Sequence, residues 1–138
     1  MQSESIPTVF LVDDSAAVRE RLKELFDLGP RVRIIGEADT AGRAIVAIKA
    51  SQPDFVVLDH KLPDGTGLDV LRGVRNESRR SCFIVLTNRA SAELQDAFVD
   101  AGARFFLDKS QEFGRLAGLI AELSPANGKR FNAHDAER

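Results

Sequence analysis

The chain has no tryptophan, no tyrosine, two histidines and a single cysteine among its 138 residues. One cysteine rules out a disulfide within the chain, as expected for a reducing cytoplasm. Cys82 lies inside an apolar run and reads as a buried core thiol rather than a reactive one. His60 and His134 stand too far apart in sequence to suggest a zinc site. No GxGxxG or Walker pattern is present, so Gly65 and Gly67 read as turn glycines and not as a phosphate cradle. No apolar stretch approaches the roughly 20 residues that span a bilayer. The polar, acidic start Met1-Gln2-Ser3-Glu4-Ser5 is unlike a signal peptide. Charge is nearly balanced, 19 Lys and Arg against 21 Asp and Glu, for a net −2. The basic surface that nucleic-acid binding needs is missing. A cytoplasmic protein is expected, with no membrane and no direct nucleic-acid contact.

What is present is a 43% hydrophobic chain of one-domain length. Its apolar residues fall in short runs between helical patterns. Strands are predicted at 8–13, 31–37, 54–59, 81–87 and 103–108. Helices are predicted at 15–28, from Thr40 to the stop at Gln52-Pro53, and at 67–76, 90–101 and 110–123. Ser15 and Ser110 are predicted as caps, and Gly102 as the residue that ends the fourth helix. Leu62-Pro63-Asp64-Gly65-Thr66-Gly67 is turn chemistry. Five strand–helix units of this kind build an α/β fold with a parallel sheet and helices on both faces. Right-handed crossovers favour the flavodoxin-like strand order 2-1-3-4-5. A domain over 1–124 is expected, and a polar tail without periodicity over 125–138. A stand-alone module, with no appended DNA-binding or enzymatic domain, is expected.

Ligands of such sheets gather at the carboxyl ends of the strands. Asp13-Asp14 follow the first strand and Asp59 the third. Thr87 closes the fourth, and Lys109 follows the fifth. The topology makes the first and third strands neighbours, so three carboxylates converge. Left alone they repel one another, and one is driven to protonate. A divalent cation resolves the conflict, and hard oxygen ligands suit Mg²⁺. Lys109 adds a point charge suited to a phosphoryl oxygen, and Thr87 adds a hydroxyl donor. An acceptor, a metal and two oxygen stabilisers are the parts of phosphoryl transfer. A carboxylate can itself be the covalent acceptor, and Asp59 stands alone at a central strand end.

These residues sit in four motifs: Val12-Asp13-Asp14-Ser15, Leu58-Asp59-His60-Lys61-Leu62-Pro63-Asp64-Gly65-Thr66-Gly67, Leu86-Thr87-Asn88 and Phe106-Leu107-Asp108-Lys109-Ser110. In order and spacing they resemble the receiver domain of two-component response regulators, over about residues 8–123. The resemblance implies that Asp59 accepts a phosphoryl group from a histidine kinase or histidine phosphotransfer protein. It implies Mg²⁺ held by Asp14, Asp59 and the backbone carbonyl of Lys61, with Asp13 acting mainly through a metal-bound water. Lys109 would pair with the phosphoryl group. Thr87 and Phe106 would form the switch, read by a downstream protein on the face of the fourth helix, fifth strand and fifth helix. A monomer or a phosphorylation-dependent homodimer is expected, with Arg89, Glu93 and Arg104 as candidates for the dimer face.

The motifs also depart from the family's pattern. Asn88 is bulkier than the usual small residue, Ser110 replaces proline after Lys109, and Phe106 replaces a frequent tyrosine. A cis bond at Lys109–Ser110 is less assured without proline. Lys61, Asn88 and Arg89 occupy positions that tune dephosphorylation in the family. Two of the three are long and basic, so a slowly hydrolysing phosphoryl state is expected. The competing readings are a receiver that no longer takes phosphate and an aspartyl-nucleophile phosphohydrolase. The second lacks the usual acid two residues after the nucleophile, where this chain has Lys61. A flavin module of the same topology would need a Ser/Thr-rich phosphate loop and flanking aromatics.

Overall fold

The computed structural model describes residues 6–29, 31–77, 80–88 and 90–123. Seven strands and five helices lie among the described residues. They are β1 (Thr8–Val12), α1 (Ala16–Leu28), β2 (Arg33–Ala38), α2 (Ala41–Ser51), β3 (Phe55–Leu58), β4 (Lys61–Leu62), β5 (Gly65–Thr66), α3 (Gly67–Val74), β6 (Cys82–Thr87), α4 (Ala92–Ala101), β7 (Phe105–Asp108) and α5 (Arg115–Leu123). The main sheet is wholly parallel, in the order β2-β1-β3-β6-β7. This is the predicted 2-1-3-4-5 order, with β4 and β5 set apart as a two-residue antiparallel hairpin.

Alternation along the strands builds a core on each face of the sheet. Phe10, Val12, Val56, Leu58, Phe83 and Val85 face α2, α3 and α4, where they meet Ile48, Val70, Leu71 and Phe98. Val9, Leu11, Phe55, Val57, Ile84 and Leu86 face α1 and α5, where they meet Leu22, Phe26, Leu116 and Ile120. Burying one such side chain contributes roughly 1.5–3 kcal/mol.

Local signals set the helix ends. Ser15, Thr40 and Ser91 cap α1, α2 and α4 by accepting from the backbone N–H of Val18, Arg43 and Leu94. Thr66 and Asp69 form a reciprocal capping box on α3. Gly102, at φ +114, ends α4 with its N–H on the carbonyls of Phe98 and Val99.

Three differences from the sequence reading have local causes. First, α5 starts at Arg115 rather than Ser110. Asp108 Oδ1 captures both the N–H and the hydroxyl of Ser110, at 2.8 and 2.6 Å. Glu112 accepts the Asp108 N–H, so residues 110–114 turn before the helix begins. Second, β2 runs Arg33–Ala38, and its pairing with β1 shifts between Val9 and Phe10. Gly36 lies against the Phe10 ring there; a Cβ would come within 2.6 Å of it. Third, most of the 62–67 turn segment belongs to the β4–β5 hairpin, which opens at Lys61. The Lys109–Ser110 peptide is trans. The tail predicted over 125–138, and Arg89, lie outside the described residues.

Candidate functional site

The sheet ladder extends one residue past the ends of β1, β3 and β7, and this aims the site. Asp13 donates its N–H to the Ala38 carbonyl at 3.1 Å, and Asp59 to the Val12 carbonyl at 3.0 Å. Lys109 donates its N–H to the Thr87 carbonyl at 2.9 Å. Backbones pinned in this way carry four side chains to the same edge of the sheet. They line an open cleft of about 490 Å³ together with Asp14, Ser15, Lys61, Leu62, Pro63 and Asn88.

Lys109 Nζ lies at the centre, 2.8 Å from Asp13 Oδ2 and 3.1 Å from Asp59 Oδ2. Backbone donors hold the other carboxylate oxygens. Ser15 N–H reaches Asp13 Oδ1 at 2.9 Å, and His60 N–H reaches Asp59 Oδ1 at 2.7 Å. Arg19 donates to the Asp13 carbonyl and also pairs with Glu37, tying α1 and β2 to the first acid. Asp13 and Asp59 are buried, whereas Asp14 is exposed.

Among the described residues, Asp13, Asp14 and Asp59 bring one carboxylate oxygen each to within 4.8 Å of one another. Burial pushes the Asp13 carboxyl up, and the charge of Asp59 adds to the rise. Bonds from Lys109 and the Ser15 N–H offset only part of it. Burial draws the Lys109 ammonium down, but bonding to Asp13 and the charge of Asp59 outweigh this, and it is held above its ordinary value. One ammonium against three acids leaves an excess of two negative charges. An all-oxygen donor set with that excess fits a hard divalent cation, Mg²⁺ before a softer metal.

The residues singled out from sequence fall as follows. Asp13, Asp14, Asp59, Lys61, Thr87, Asn88 and Lys109 all line the cleft. Thr87 is almost fully buried at 1% exposure, and Asn88 is exposed at the rim. Phe106 is half-buried on β7, outside the cleft lining, with its ring 5.8 Å from that of Phe98. His60 turns away from the acids and meets Phe98 edge-on at 5.6 Å. Asp64, read from sequence as turn chemistry alone, reaches the start of α2, where both its oxygens accept backbone N–H groups.

The chain is similar to known proteins over most of its length. The family described as "Response regulator receiver domain" matches residues 9–121. The transcriptional activator DevR/DosR of Mycobacterium tuberculosis is 32% identical over 115 residues, which are 83% of this chain and 53% of that protein. The KDP operon regulator KdpE of Escherichia coli is 34% identical over 112 residues, 81% of this chain and 48% of that protein. The chain thus spans about half the length of these curated relatives. Among solved structures, the signal receiver domain of the putative response regulator NarL from Mycobacterium tuberculosis superposes with a TM-score of 0.78 at 27% identity. That match covers 91% of this chain and all of the other.

Proposed function

Because the chain belongs to the response regulator receiver domain family, we propose that Asp59 is the phosphoacceptor of a two-component receiver. A carboxylate oxygen of Asp59 forms a bond to phosphorus while the bond from phosphorus to the donor's imidazole nitrogen breaks. That nitrogen leaves with the electron pair of the broken bond, so the imidazole, protonated on its other ring nitrogen, departs neutral; the donor is a histidine kinase or a histidine phosphotransfer protein. The chain is a phosphoacceptor rather than an enzyme acting on an external substrate.

The observation that carries this reading is the bridging ammonium. Lys109 Nζ bonds Asp13 and Asp59 together in the cleft that Asp14 and Thr87 also line. A phosphoryl group on Asp59 therefore arrives beside a positive charge that is already placed. The Thr87 hydroxyl stands as a donor for a second phosphoryl oxygen. Asp13, Asp14, Asp59 and the Lys61 carbonyl would hold Mg²⁺, with Asp13 acting largely through a metal-bound water. Mg²⁺ supplies Lewis-acid stabilisation of the phosphoryl oxygens when bound. Thr87 and Phe106 form the switch. An unidentified protein target reads it on the face of α4, β7 and α5, with the chain as a monomer or a phosphorylation-dependent homodimer. Lys61, Asn88 and Arg89 set the phosphoryl lifetime.

The test is intact mass after incubation with Mg²⁺ and acetyl phosphate or phosphoramidate. One added phosphoryl group is expected, lost in the Asp59→Ala variant and in EDTA. Decay of the adduct over minutes or longer is expected from the bulk at Lys61 and Asn88; decay within seconds would remove that part of the reading. No adduct in protein that binds Mg²⁺ would favour an interaction domain that does not take phosphate.

A further inference from the structure

We propose that Asp64 is a positioning residue for the divalent-cation site, acting through the β4–β5 hairpin. The assignment rests on the reading above, in which the Lys61 carbonyl is a ligand. Lys61 opens the hairpin and pairs with Thr66; Leu62 pairs with Gly65, and Pro63-Asp64 form the tip. Two strands of two residues each cannot hold their own position, so the placement of the Lys61 carbonyl depends on what anchors the hairpin.

The ties at its base are short-range. The Gly67 N–H donates to the His60 carbonyl at 2.6 Å, and the Thr66–Asp69 capping box fixes the start of α3. The tip is tied across the molecule. Asp64 Oδ1 accepts from the Ala41 N–H at 2.6 Å, and Oδ2 accepts from the Gly42 N–H at 3.0 Å. Both donors belong to the first turn of α2, where backbone N–H groups have no partner within the helix. The helix dipole favours an anion at this end. No acidic residue of α2 itself occupies its first turn, so the anion comes from the hairpin, 22 residues further along the chain.

The β4–β5 hairpin is thus clamped to α2, which packs against the same core as the β1 and β3 ends that carry the three acids. Asp64 lies outside the cleft lining and touches neither the acids nor Lys109. Its loss loosens the hairpin tip, leaving Leu62, buried in the same core, as the remaining tie beside the Lys61 carbonyl. Partners that orient metal ligands without touching the metal typically contribute 10–100-fold to affinity.

Calorimetric titration of the purified protein with MgCl₂, alongside thermal melts in EDTA, tests this. Asp64→Ala is expected to weaken Mg²⁺ binding about tenfold, at the low end of that range. Asp64→Asn retains one acceptor oxygen and is expected to recover most of the loss. Equal Mg²⁺ affinity in wild type and Asp64→Ala would overturn the positioning role and leave the phosphoacceptor reading standing. A lower melting temperature in EDTA with unchanged Mg²⁺ affinity would likewise make Asp64 a structural cap only. Failure of the wild type to bind Mg²⁺ would overturn both readings.

Discussion

At the scale of single residues, the Lys109 ammonium decides the character of the cleft. It is shielded by the same walls that bury Asp13 and Asp59, with side-chain exposures of 11, 5 and 10%. Removing one partner of a fully buried ion pair costs about 3–5 kcal/mol. This pair opens onto a cleft, so Lys109→Ala is expected to cost less, about 2 kcal/mol, close to a hydrogen bond to a charged group. Urea denaturation in EDTA measures it, and stability equal to wild type would show the bridge to be energetically idle. The variant should also take up phosphoryl groups much more slowly, because it loses the ammonium that lies 3.1 Å from Asp59 Oδ2. Cys82 is the opposite case. Burial pushes its thiol up to about 12, so the lone cysteine is a core hydrophobe with little thiolate chemistry.

At the scale of elements, most starts and stops were legible in the sequence because capping is local chemistry. Ser15, Thr40 and Gly102 do what their residue types do anywhere. The start of α5 was not legible. Ser110 has the right type for a cap, but the Asp108 side chain takes its N–H and hydroxyl first. The hairpin was hidden for a different reason. Two-residue strands carry no periodicity to read, and the Asp64 anchor lies on α2.

The edge strand β2 shows a tie that only folding creates. Glu37 reaches both Lys23, at 2.6 Å, and Arg19, at 2.7 Å, on α1. Bonding to Lys23 is the largest influence on the Glu37 carboxyl. With help from Arg19 it outweighs burial and holds the group below its ordinary 4.5. A depressed carboxyl stabilises the fold above the unfolded-state value, and that gain is lost as pH falls through the folded-state value. The group is largely exposed, so screening keeps the gain below about 1 kcal/mol. Glu37→Gln should therefore cost roughly 0.5 kcal/mol at neutral pH and low salt. The cost should fade below about pH 4 and in high salt. Urea melts across pH measure it, and a cost that grew on acidification would refute the assignment.

At the scale of the whole molecule, β3 is the shared wall of two cores. Phe55 and Val57 serve one face of the sheet, and Val56 and Leu58 the other. The two halves should therefore unfold together. Phe55→Ala is expected to lose about 3–5 kcal/mol, as for other buried aromatics truncated in a core. The far-ultraviolet circular dichroism and calorimetric transitions should remain single and coincident. Two separated transitions would show that the faces fold independently.

The sequence by itself determined the alternation of elements, the parallel sheet and the residues at its carboxyl edge. Period-2 and period-3.6 patterning and the chemistry of caps and turns are written in neighbouring residues, and chain handedness then leaves few topologies. Tertiary structure alone decided that one ammonium bridges Asp13 and Asp59. It alone brought the Asp64 carboxylate to the start of α2 and set Glu37 between two cations of α1. The Lys109 contacts join residues 96 and 50 positions apart. Contacts across such distances depend on how separate elements pack, and no local pattern encodes which donor reaches which acceptor.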